Sequence, residues 1–146
     1  VQASPGLESF ALSALFTGIL AGRRDVTFVQ APADATAVVS AATLDSSACA
    51  FLQQIISGKT AEVLVPSKGK LLDPLAVVPR NEVVLYARHH GWEGEDAGPF
   101  VPDPFSADVC AFLKHFSADH PSAAYALMQV RDALLQLYRE RTNHAL

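Results

Sequence analysis

KLLDPLAVVPRNEVVLYARHHG, residues 70–91, runs from a strand through a proline turn into a helix. Its first part, Leu71 to Val78, is apolar and β-prone but is interrupted by Pro74. Proline offers no ladder donor, so this piece lies at a sheet edge or leaves the sheet there. Pro79 then opens a helix with its φ already near the helical value. Val83, Val84, Tyr86 and Ala87 face inward, and Gly91 is the stop. Glu82 falls in the first turn, where a carboxylate meets the positive end of the helix dipole.

Toward the N-terminus, Ser4-Pro5 is a helix opening, and Leu7, Phe10, Ala11, Ala14, Leu15, Gly18 and Ile19 recur at three- and four-residue spacing. This helix ends near Gly22. Val26 to Gln30 and Thr36 to Ala41 are short β-branched pieces around Pro32. Asp45 is a cap for a second helix through Ala48, Phe51, Leu52, Ile55 and Ile56, with Gly58 at its left-handed end. Glu62 to Val65 reads as a strand, and residues 67–70 as a turn. Toward the C-terminus, residues 92–104 hold glycines, prolines and acids and read as a loop or linker. Pro104 or Ser106 opens a helix through Val109, Phe112, Leu113 and Phe116, which His120-Pro121 breaks. The last helix carries Ala124, Leu127, Met128, Ala133, Leu134, Leu137 and Tyr138 on one apolar side, with Arg131, Arg139 and Arg141 among acids on a solvated back.

Half of the 146 residues are hydrophobic and the net charge is −4, so a packed core is affordable and no overall basic field exists for non-specific nucleic-acid binding. The apolar run Phe10 to Ala21 is short of a membrane span, and the arginines follow it rather than precede it as in an export signal. Cys49 and Cys110 show no C-x-x-C spacing and read as core thiols in a reducing compartment. The chain opens on Val1 and reads as part of a gene product.

Candidate chemistry is sparse. His89 and His90 point about 100° apart on a helix end, and His115 and His120 straddle a break with no third ligand. Gly58-Lys59-Thr60 lacks the upstream glycine of a phosphate loop, and G-x-S-x-G is absent. No catalytic residue and no metal site is assigned. Arg23 and Arg24 follow a helix stop, a place from which a loop presents guanidinium groups to phosphate, and they are the candidate contacts to RNA.

The 70–91 stretch resembles the segment after the last sheet strands in tRNA-thiolating PP-loop ATPases, with Pro74, Leu75, Glu82, Tyr86 and Ala87 on the pattern. Two further pieces are similar to the cytoplasmic tRNA 2-thiolation protein 2 family: residues 7–24, ending Leu-Ala-Gly-Arg-Arg, and residues 105–135, with Phe112-Leu113, Pro121-Ser122 and Val130 to Leu134. Departures are Asp73 in place of a frequent arginine, Arg24 in place of glycine, and Ala133 where a lysine is usual. The resemblance implies a helix-rich α/β chain, the C-terminal half of a PP-loop (adenine nucleotide alpha hydrolase-like) fold with a short sheet and a C-terminal helical pair. It divides the chain into 1–91 with an insertion at about 25–69, a linker at 92–104, and a helical segment at 105–146. It implies a cytoplasmic, non-catalytic subunit holding no cofactor in this segment, with a catalytic thiolase subunit, tRNA and a ubiquitin-like sulfur carrier as partners and no membrane. A helical protein-interaction domain unrelated to RNA is the rival reading. An active thiolase, the third, requires a phosphate loop upstream and catalytic cysteines.

Overall fold

The structure is a computed structural model that describes residues 6–27, 29, 35–59, 71–96, 98 and 103–143. Its elements in chain order are α1 (Leu7–Ile19), β1 (Val38–Val39), α2 (Leu44–Ile56), β2 (Leu71–Leu72), α3 (Arg80–His89), α4 (Pro104–Asp119) and α5 (Ala123–Asn143). They form two compact units, Val1–Thr43 with Ser67–Phe100 and Leu44–Pro66 with Val101–Leu146.

In the first unit, α1 packs on α3. Leu7, Ala11 and Leu12 on α1 join Leu75, Val83 and Ala87 in one buried cluster. These positions follow the four-residue repeat that brings side chains onto one helical face, and the alanines keep the facing surfaces low. Complete burial of a leucine such as Leu12 contributes roughly 2–3 kcal/mol. Beside this pair, β1 and β2 run parallel, with Val38 opposite Leu71 and Val39 opposite Leu72. A parallel pair needs a long connection, and here it includes α2. The strand ends before Pro74, and Asp73 and Leu75 accept the N–H groups of Ala76 and Val78 in the turn that follows.

The second unit is a three-helix cluster in which α2 packs on both α4 and α5. Leu44, Ala48 and Cys49 bury against Val109, Leu113, Ala124 and Met128. The C-terminal pair thus becomes a trio, because α2, from within the insertion-like 25–69 region, packs on the face that carries Val109, Leu113, Ala124 and Met128. The packing cuts across the 1–91, 92–104 and 105–146 division.

Local signals explain the ends. Gly58 and Gly91 have φ of +72° and +91°, and each helix before them closes with the paired bonds of a glycine stop: Lys59 N to Gln54 O and Gly58 N to Ile55 O, then Trp92 N to Ala87 O and Gly91 N to Arg88 O. Asp103 caps α4, accepting from Ser106 N at 3.0 Å, with Pro104 in the first turn. The expected cap Asp45 lies instead inside the first turn of α2. Of the expected strand pieces, Val38–Val39 is paired; Ser4, Pro5 and the segment Glu62 to Lys70 lie outside the described residues.

One expectation is overturned. Cys49 and Cys110 are bonded to each other across α2 and α4, with Cα atoms 5.3 Å apart. Neither is a lone core thiol, so the thiols no longer argue for a reducing compartment. The pairing depends on a helix contact spanning 61 positions, which spacing in the sequence does not reveal. Among the described residues, no helix is long and apolar enough to cross a membrane.

Candidate functional site

A cleft of about 220 Å³ opens in the first unit, lined by Ala11 and Leu15 of α1, Leu75 and Val78 of the proline turn, and Glu82, Val83 and Tyr86 of α3. The geometry follows from the helical repeat: Glu82 and Tyr86 are one turn apart on α3, and Ala11 and Leu15 are one turn apart on α1. Leu75 is buried in the floor and Glu82 is exposed. The walls are apolar, with one carboxylate and one phenol among them. Such a cleft holds an aliphatic side chain or a single ring; small-molecule sites are usually larger, roughly 300–1,000 Å³.

Three of the motif positions read from the sequence, Leu75, Glu82 and Tyr86, meet here. Pro74 is exposed in the turn that carries Leu75, while Pro121 and Ser122 are exposed in the α4–α5 connection of the other unit. The structure adds Ala11, Leu15, Val78 and Val83, whose periodicity marks them as core without showing that they edge an opening.

Arg80, at the start of α3, also escaped the sequence reading. It is held on two sides. Its Nε donates to Glu8 Oε1 at 2.8 Å, and its two terminal nitrogens both donate to the Asp96 carboxylate. Asp96 also accepts from Gly98 N at 3.0 Å. The Arg80 hydrogen bonds, with help from Gly98, bring the Asp96 pKa down to about 2, and Asp96 in turn raises that of Arg80. This network ties α1, α3 and Asp96 of the acidic loop together.

Arg23 and Arg24 stand exposed in the turn after α1. Arg23 is engaged by Asp25, through Nε–Oδ1 at 2.9 Å and a second bond to Oδ2 at 2.5 Å. The pairing raises the Arg23 pKa and lowers that of Asp25. Arg24 has no ion pair among the described residues, which makes it the more available of the two for phosphate.

Among the described residues, His89, His90 and His120 make ring contacts. His90 lies 4.3 Å from Tyr86 between centroids, with His89 edge-on to it at 5.4 Å, and His120 lies 4.5 Å from Phe116. Among the described residues, no group of three or more His, Cys, Asp or Glu is placed to hold a metal ion.

No family model and no curated protein matches the chain. A solved structure does: the U34-tRNA thiolase NcsA from Methanococcus maripaludis with its [4Fe-4S] cluster, at 21% identity and a TM-score of 0.61, over 84% of this chain. The chain shares part of the fold of a tRNA thiolase. It spans 44% of that protein's length, and its helix-rich form with a short parallel sheet agrees with part of a PP-loop-like fold. The cluster of that protein does not fit the residues present here. A [4Fe-4S] cluster is held by cysteine thiolates, ordinarily four, whereas this chain has two cysteines bonded to each other.

Proposed function

We propose that this chain acts in the 2-thiolation of wobble uridine 34 of tRNA, as a supporting, non-catalytic part of a cytoplasmic complex. The observation that carries the reading is the fold likeness to a U34-tRNA thiolase. It is joined by the convergence of Leu75, Glu82 and Tyr86, three positions of the thiolase-like motif, on one cleft. The supporting role fits the state of the two cysteines, which in their bonded form present no thiolate for sulfur transfer.

In this reading the catalytic subunit adenylates the uridine C2 oxygen, and sulfur from a ubiquitin-like carrier displaces AMP. This chain binds that subunit and touches tRNA at Arg23 and Arg24. Deleting the gene should abolish thiolated wobble uridine in total tRNA measured by mass spectrometry; unchanged thiolation refutes the reading and leaves the rival, a helical interaction domain unrelated to RNA. Within the assembled complex, Arg24→Ala should weaken tRNA retention more than Arg23→Ala, because Asp25 already occupies the Arg23 guanidinium. The double variant should also flatten the salt dependence of binding.

A further inference from the structure

The last helix has two apolar faces. One, with Ala124 and Met128, is buried in the second unit. The other, Ala126, Val130, Ala133 and Leu137, lies about 200° around the helix from it and is exposed at every position, with Val130 at 50% and Leu137 at 58%. Ala133 and Leu137 thus sit on the back of α5 and not on its core side, as the one-sided pattern had suggested. Their spacing of four, three and four residues is that of a helix-pairing seam. A helix apolar on both sides is ordinarily covered on both.

We propose that this back face pairs with the same face of a second copy of the chain, with the two α5 helices antiparallel about a twofold axis passing between Arg131 and Asp132. The order of residue sizes favours that occupant. In the antiparallel register, Ala126 lies opposite Leu137 of the other copy and Val130 opposite Ala133, so each small residue receives a larger one. A parallel copy sets alanine on alanine and leucine on leucine, leaving a void at one end and crowding at the other.

The charges agree. From Ala123 to Tyr138 the charged residues are Arg131 and Asp132, and these are bonded to each other at 2.8 Å. Along one edge of the seam stand Gln129 and Gln136, neutral amides able to pair with their counterparts, and along the other Leu127 and Leu134. No like charges meet when the face is laid against itself, and a strongly charged partner finds nothing here to recognise. The contact is isologous, the commonest form of self-association. A seam of roughly 17 Å of helix is smaller than a stable specific interface, so the contact is a weak, transient one with a dissociation constant on the order of 100 μM.

Sedimentation equilibrium between about 10 μM and 1 mM tests this. The expected result is a shift from 15.6 kDa to twice that mass. Leu137→Glu should raise the dissociation constant at least about tenfold without altering the circular dichroism, since the side chain is mostly exposed. Val130→Lys and Ala133→Glu should each weaken pairing, while the two together restore it, because the introduced lysine of one copy then meets the introduced glutamate of the other. A monomer at 1 mM, or a dimer that survives Leu137→Glu, overturns the proposal. A double variant as weak as the single ones overturns the antiparallel register. None of these readouts involves thiolation, so they stand or fall apart from the functional reading.

Discussion

Arg80 is held between two carboxylates in the first unit: its side chain is 17% exposed, with Glu8 and Asp96 both in contact. Removing it leaves half-buried Glu8 and exposed Asp96 without their cation, and solvent screens the Asp96 side of that loss. Arg80→Ala should therefore lower stability in urea by about 1 kcal/mol. The pH dependence has a definite sign. Asp96 has a folded-state pKa of about 2, below the ordinary 3.8, so its contribution is present above pH 4 and is lost as pH falls toward 2. The acid side of the stability curve should be shallower in Arg80→Ala than in the parent over that window. Nothing in the sequence marks Arg80, because its partners lie 72 positions before it and 16 after. Glu82, by contrast, was legible as a first-turn residue, because Pro79 marks where its helix begins.

Among the elements, α4 and α2 show how local and long-range terms combine. The start of α4 is written locally in Asp103, Pro104 and Ser106. Ser106, almost fully buried, is satisfied by the Asp103 carboxylate at 2.6 Å and by the Gln53 amide of α2, so its hydroxyl costs little to bury. The bond between Cys49 and Cys110 closes a loop of 61 positions, for which the chain-entropy account gives about 4 kcal/mol. Reduction, or Cys110→Ser, should lower the thermal midpoint accordingly, read by calorimetry with and without a dithiol reductant. A midpoint indifferent to reductant would mean that the helices hold equally well without the bond. The helix stops at Gly58 and Gly91 were legible because the left-handed conformation they adopt is costly for residues with a Cβ. Asp45 was read as the cap but is the second residue of a helix that begins at Leu44: acids favour the cap and the first turn alike, and sequence does not separate the two.

At the scale of the whole molecule, the second unit is discontinuous in the chain. Its core needs Leu44 and Ala48 from α2 as much as Val109, Leu113, Ala124 and Met128 from α4 and α5. A peptide of residues 101–146 should accordingly show little stable helix by circular dichroism, and adding a peptide of residues 44–66 should restore it. Independent folding of the 101–146 piece would show that α2 is an accessory and not part of the core. The resemblance to a thiolase covers more of the chain than the motifs could, because a fold is preserved through contacts that many sequences satisfy.

The amino-acid sequence, read alone, specified the turn at Pro74, most helices and several of their ends. These rest on short-range sterics, proline and glycine chemistry, and helical periodicity, all of which act within a few residues. The disulfide, the Arg80 network, the recruitment of α2 by the C-terminal helices and the uncovered back of α5 came from tertiary packing. An apolar position looks the same in sequence whether its neighbour is the core, a cleft or solvent, and the three-dimensional arrangement of helices alone separates these cases.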